Sequence, residues 1–132
     1  MSNANVTLVQ SLYGAFGRGD IGTIVDAVTP DVHWESTGRR SDFPTLGIRR
    51  GQNEVREFFD TVGKELKFSE FTPKEFYAAE EKVFVLGHYT MTVSRTGKLV
   101  DSDWIHVFTI RNGKVTAFRE FLDTAQAAAA NR

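Results

Sequence analysis

Two short runs in the C-terminal half carry the groups best suited to chemistry. Asp103-Trp104-Ile105-His106-Val107-Phe108 sets a histidine between two aromatic residues at strand spacing, and Phe118-Arg119-Glu120-Phe121-Leu122 does the same for a glutamate. Side chains alternate along a strand, so Trp104, His106 and Phe108 share one face, and Phe118, Glu120 and Leu122 share another. A histidine and a carboxylate on apolar faces are the ingredients of general acid–base catalysis, in which a positioned side chain moves a proton. Between the runs lies Asn112-Gly113, the strongest short-range hairpin signal, because both residues tolerate the positive φ of a type I′ turn. A two-residue turn there sets Arg111 opposite Lys114. Counting back, His106 faces Arg119 and Glu120 lies on the diagonal, so contact between His106 and Glu120 is possible and a bulge would alter it. On the residues alone, His106 is as well read as a core histidine bonded to a backbone carbonyl, and Glu120 as the partner of a buried arginine.

Composition removes other chemistries. The 132 residues contain no cysteine, which excludes disulfides, thiolate nucleophiles and cysteine-type zinc sites. Only His33, His88 and His106 remain as nitrogen ligands, and none is spaced like a metal motif; no metal and no cofactor are expected. Sixteen Lys and Arg against 17 Asp and Glu leave a formal charge of -1, without the basic excess that phosphate binding needs, so nucleic acid is not an expected partner. No apolar run approaches the roughly 18 residues of a membrane span, and the start, MSNANVTLVQ, lacks a basic stretch followed by an apolar one. The expectation is a cytoplasmic protein without membrane contact.

The elements that must position the pair follow from periodicity. Val6, Val9, Leu12, Tyr13 and Phe16 recur at helical spacing and predict a helix from about Asn5 to Gly17. Gly17-Arg18-Gly19-Asp20 supplies a glycine stop and an Asp N-cap for a second helix over Ile21, Ile24, Val25 and Val28, ended by Pro30. Val32, Trp34 and Ser36 then alternate as in a strand. Gly38 to Gly51 reads as an exposed loop with a short strand near Leu46 to Ile48, and the pairs Arg39-Arg40 and Arg49-Arg50 as solvated loop charges. Val55, Phe58, Phe59 and Val62 mark a third helix. Phe71 to Ala79, Val83 to Ser94, Val100 to Ile110 and Val115 to Leu122 are strands separated by Glu80-Glu81, Thr96-Gly97 and Asn112-Gly113, and Thr124 to Arg132 is a short helix or frayed end. Helices first and a strand meander afterwards predict an α+β domain, single over 1–132 with its core at about 6–125, whose curved antiparallel sheet is covered on one face. Eleven Phe, three Tyr and two Trp make 12% of the chain, enough to fill a core or line a ligand cavity. Tyr13, Trp34, Phe58, Tyr89 and Met91 are candidates for that wall.

The helical hairpin jointed at Gly19-Asp20, Pro30-Asp31-Val32-His33-Trp34, Gly47 and Gly51 ahead of Val55-Arg56-Glu57-Phe58-Phe59, His106-Val107-Phe108 with Arg111-Asn112-Gly113-Lys114-Val115, and Phe118-Arg119-Glu120-Phe121-Leu122-Asp123 together resemble the SnoaL-like branch of the nuclear transport factor 2-like superfamily. That branch also holds ketosteroid isomerase, limonene epoxide hydrolase and scytalone dehydratase, and the resemblance spans about Val6 to Ala125. It implies a cone in which the curved sheet wraps three helices around an apolar pocket, and commonly a homodimer across the outer sheet face. The SnoaL-like polyketide cyclases use an inward His and an inward acid fourteen residues later as an acid–base pair, which maps onto His106 and Glu120, with Glu where the cyclases have Asp. The position of ketosteroid isomerase's base falls at Ser36, which cannot act as a carboxylate, and limonene epoxide hydrolase's Arg and Asp positions hold Gly87 and Tyr89; neither chemistry is expected. Alternation and resemblance together place Trp104, His106, Phe118 and Glu120 in one cavity with Trp34 and Tyr89. The implied function is cofactor-independent acid–base chemistry of isomerase, cyclase or lyase type on a small apolar, oxygenated ligand. The alternative is a non-catalytic ligand-binding or dimerising accessory domain of the same fold.

Overall fold

The computed structural model describes residues 3–132. Asn3 caps α1 (Ala4–Gly17), its side chain accepting from the backbone N–H groups of Asn5 and Val6. Gly19, at φ 72°, turns the chain, and Asp20 caps α2 (Ile21–Asp26) through the Thr23 N–H. Strand β1 (Val28–Ser36) and the short β2 (Gly47–Arg50) lead into α3 (Gly51–Glu65). Four long strands follow, β3 (Leu66–Ala79), β4 (Lys82–Val93), β5 (Leu99–Arg111) and β6 (Lys114–Phe121), and α4 (Thr124–Ala130) ends the chain.

The six strands form one sheet in the order β2-β1-β6-β5-β4-β3. Along β4 and β5 every second residue is buried, because the helices cover only the inner face. The core therefore lies between that face and α1 to α3, and the architecture is the expected α+β cone.

Several boundaries differ from the sequence reading. Val28 and Pro30 belong to β1 rather than to the second helix. Proline lacks the N–H a ladder needs, and it is accommodated because β2 pairs only with His33 to Ser36 and the β1–β6 register is interrupted between Val28 and His33. Strand β3 begins at Leu66, before the expected Phe71. The segment from Gly38 to Gly51 is not simply an exposed loop, since Phe43 and Leu46 are fully buried and anchor it. Arg49 is not a solvated charge: it is 6% exposed. Its guanidinium donates to the carbonyls of Pro44, Thr45 and Leu46 and lies 5.1 Å over the Phe58 ring. Burial, with a smaller contribution from Arg40, lowers its pKa to about 10.

One pairing is parallel. The sheet reads as antiparallel from its hairpins, yet β1 joins β6 in parallel and aligns Ser36 with Glu120. The β5–β6 hairpin also departs from the regular register. Asn112 and Gly113 turn at φ 52° and 74°, and Arg111 opposes Lys114 as expected. A bulge then takes up Thr116, so that Phe108 opposes Phe118 and His106 opposes Glu120 directly.

Gly87 lies opposite Trp104 across β4 and β5. A Cβ at Gly87 would stand 2.3 Å from Trp104 Cζ2 and 2.7 Å from the Thr72 carbonyl oxygen, so the indole occupies the space a side chain would need. Gly87→Ala is expected to destabilise the fold by about 1–3 kcal/mol through overpacking. Denaturant unfolding of the two proteins checks this, and unchanged stability would show that Trp104 moves aside freely.

Candidate active site

The pleat and the Thr116 bulge bring His106 and Glu120 together. His106 Nε2 stands 2.8 Å from Glu120 Oε2, with side chains 6% and 13% exposed. Glu120 receives two further donors, Ser36 Oγ at 2.7 Å to Oε1 and Tyr89 OH at 3.3 Å to Oε2. On the other side of the imidazole, Tyr13 OH lies 2.7 Å from His106 Nδ1. Five side chains from α1, β1, β4, β5 and β6 thus form one connected network.

The electrostatics assign the protons. Desolvation is the largest single influence on Glu120 and favours the neutral acid, but the His106 hydrogen bond and charge, with the bonds from Ser36 and Tyr89, outweigh it and hold the carboxyl below the ordinary glutamate range. Burial first, and the Glu120 charge second, push the hydroxyls of Tyr13 and Tyr89 well above the ordinary tyrosine range. Both phenols are therefore protonated. An ionised carboxylate only accepts, so Nε2 carries a proton toward Glu120; at Nδ1 the partner is the Tyr13 hydroxyl, which donates to a neutral ring and accepts from an imidazolium.

The network opens on an apolar cavity of ≈ 80 Å³, room for several waters or a small ring. Tyr13 and Phe16 come from α1, Phe58 and Phe59 from α3, and Trp34, Tyr89, Met91 and Phe118 from the sheet. Every expected wall residue except one lies on this lining with His106 and Glu120. Trp104 is the exception: it is 1% exposed and stacks behind the imidazole, ring centroids 3.8 Å apart, so it backs the site without facing the cavity. Sequence reasoning passed over Ser36 as a contributor, because the parallel β1–β6 register that aims it at Glu120 leaves no local signal. It also passed over Phe16, Phe68 and Phe71, which complete the wall. Arg119, adjacent to Glu120, points the other way and pairs with Glu35 at 3.2 Å, so no arginine partners Glu120. Among the described residues no group of His, Asp and Glu is arranged to hold a metal ion, and no helix is long and apolar enough to cross a membrane.

Residues 9–118 match the SnoaL-like domain. The chain belongs to the SnoaL-like family. A nuclear transport factor 2-like protein of Burkholderia xenovorans is similar over 100% of this chain and 98% of its own, with 30% identity and a TM-score of 0.90. TerC, solved as a co-crystal with polyporic acid, covers 97% and 98% at 26% identity and a TM-score of 0.85. An uncharacterised protein of Mycobacterium tuberculosis is 24% identical over 119 residues, 90% of this chain and 88% of the relative. Within the SnoaL-like cone the network joins Tyr13 of α1 to the sheet, with Ser36 and Glu120 near the C-terminal ends of β1 and β6 and Tyr89 and His106 within β4 and β5.

The lowered pKa of Glu120 has a stability consequence whose sign is fixed. A folded-state pKa below the unfolded value of about 4.3 contributes stability above that pH, and the contribution disappears as pH falls through the folded value. The gap in melting temperature between the wild type and Glu120→Gln is expected to be widest above about pH 5 and to shrink on acidification. Thermal unfolding from neutral to acid pH measures it, and a gap independent of pH would show that Glu120 is not ionised in the fold.

Proposed function

We propose that this SnoaL-like protein is a cofactor-independent acid–base enzyme that moves a proton on a small apolar, oxygen-bearing molecule, with His106 as proton carrier and Glu120 as its ionised partner. The 2.8 Å bond between His106 and Glu120 at the wall of an aromatic cavity is the observation that carries this reading. A carboxylate bonded to one ring nitrogen orients the imidazole and stabilises the imidazolium that forms when the other nitrogen takes a proton. Such help contributes on the order of 10²- to 10⁴-fold, suited to isomerisation, cyclisation or elimination on an already activated carbonyl compound. TerC's co-crystal with polyporic acid supports a small oxygenated organic molecule as the occupant. We further propose a homodimer across the outer sheet face. Ile105 and Phe121, directly paired and 41% and 40% exposed, give that face an apolar centre.

Enolisation is read without knowing the natural substrate by following exchange of the α-protons of α-tetralone in D₂O by NMR, beside polyporic acid binding. The wild type is expected to accelerate exchange, and Glu120→Gln to lower that acceleration by about 10²-fold or more with polyporic acid affinity changed only a few-fold. If both proteins bind polyporic acid equally and neither exchanges tetralone, the non-catalytic binding domain replaces the enzyme. Melting temperatures measured alongside separate lost turnover from lost folding. Sedimentation at micromolar concentration tests the dimer, and a stable monomer refutes it.

A further inference from the structure

The hydrogen atoms of the network can be counted. Ser36 Oγ–H, Tyr89 O–H and His106 Nε2–H go to Glu120, and with the imidazole neutral Tyr13 O–H goes to His106 Nδ1. Every polar hydrogen of the five residues is therefore engaged inside the network. What remains for a ligand is acceptor capacity: the free lone pairs of the Tyr13 and Tyr89 oxygens and of the Glu120 carboxylate, all on residues of the cavity wall. The indole N–H of Trp34 is unpartnered but buried away from open space, and Thr45 supplies the remaining hydroxyl of the wall from the loop before β2. Among the described residues no lysine or arginine lines the cavity. An anion would meet the Glu120 charge there without a compensating cation, and a bare carbonyl would meet the Thr45 hydroxyl but no free donor on the network, so it would be held more weakly than a ligand that donates a hydroxyl.

We propose that the resting pocket recognises its ligand through a hydroxyl that the ligand itself donates, a phenol or an enol, and that Tyr13 relays this proton to His106 Nδ1. The inference rests on reading His106 and Glu120 as the proton-handling pair, and it names the ligand class and a third catalytic residue. The ligand O–H breaks as its proton passes to the Tyr13 oxygen, while the Tyr13 O–H breaks as its own proton passes to Nδ1. Tyr13 ends neutral, now donating to the ligand oxyanion. His106 ends as an imidazolium paired with Glu120, and the charge lost by the ligand is balanced on the imidazole. Proton uptake by His106 thus reverses the Tyr13 hydrogen bond and turns the pocket from acceptor to donor, which is the polarity an enolate or phenolate requires. The same path run backward returns the proton.

The probes are 4-nitrophenol and 4-nitroanisole, which share a ring and nitro group and differ in the donated hydrogen. The wild type is expected to bind the phenol at least about tenfold more tightly, ~1.4 kcal/mol, and to show phenolate absorbance in the complex. In Tyr13→Phe the phenolate signal is expected to vanish and the preference to fall below about threefold, with a melting temperature showing the fold retained. Without any ligand, ¹⁵N NMR of the wild type is expected to show neutral His106 protonated at Nε2. Equal affinity for the two probes, or no binding of either at millimolar concentration, overturns the donor preference. Undiminished phenolate formation in Tyr13→Phe, or an Nδ1-protonated neutral His106, overturns the relay. Tetralone exchange separates the two levels: exchange in the wild type with a failed phenol test sinks this inference alone, and a phenol test that succeeds without exchange sinks the enzyme reading alone.

Discussion

An ionised carboxylate at the edge of an aromatic cavity is the constraint on which the rest of the structure depends. Taking such a charge out of water costs several kcal/mol, and hydrogen bonds to a charged group return about 1.5–3 kcal/mol each, so one partner is not enough. Glu120 has three: Ser36 from β1, Tyr89 from β4 and His106 from β5. No two of those strands adjoin in the same way. Ser36 and His106 stand opposite Glu120 on the two strands that flank β6, but Tyr89 reaches it from β4, one strand further, which needs a curved sheet with helices packed on the concave side to exclude water. The fold and the charge are therefore mutually dependent, since a flat sheet would leave Glu120 with fewer partners and an open face would hydrate it.

Local signals announced most of the elements. Helical spacing marked α1 and α3, Asp20 marked the start of α2, and Asn112-Gly113 marked the β5–β6 hairpin, because each rests on residues within a few positions of one another. The site was legible only to its residue types. His106 and Glu120 were visible as candidates, but the regular hairpin register pointed His106 at Arg119, and the Thr116 bulge that corrects this has no sequence mark. A single inserted residue exchanges which side chains face the cavity beyond it, so the contact on which the proposed function rests was the one least determined by pattern. The partnership of Ser36 with Glu120 was hidden for a different reason, since a parallel pairing between the first strand and the last joins residues 84 apart in the chain.

Two aromatic or charged residues were assigned to the wrong surroundings, and the same physics explains both. Strand alternation gives a face but not a depth, and Trp104, on the correct face, sinks into the space left by Gly87 to stack on His106. Arg49 sits in a run of loop-like composition, yet the turn from Pro44 to Leu46 directs three carbonyls at one guanidinium, and five donors in a planar fork can satisfy them where a lysine could not. Buried polar groups are decided by their partners, and partners brought together by tertiary structure leave little trace in composition.

The three donors that stabilise Glu120 also determine what it can do. A carboxylate made stable as an anion is by the same amount a weaker base, so the arrangement disfavours Glu120 as the group that takes a proton from a ligand. What it can do is fix the tautomer and orientation of His106 and balance the charge that arrives on the ring. The ring nitrogen still able to accept, Nδ1, faces away from Glu120 toward Tyr13 and α1. In the proposed proton transfer the pair is thus directional, with its stationary charge on the sheet and its mobile proton on the helix side. The length of the glutamate fits this division: its carboxylate holds the imidazole with one oxygen and the Ser36 hydroxyl with the other, spanning from β5 to β1 across its own strand. A side chain one methylene shorter would reach less far across the same three strands, which links the choice of glutamate at position 120 to the serine that stands opposite it on β1.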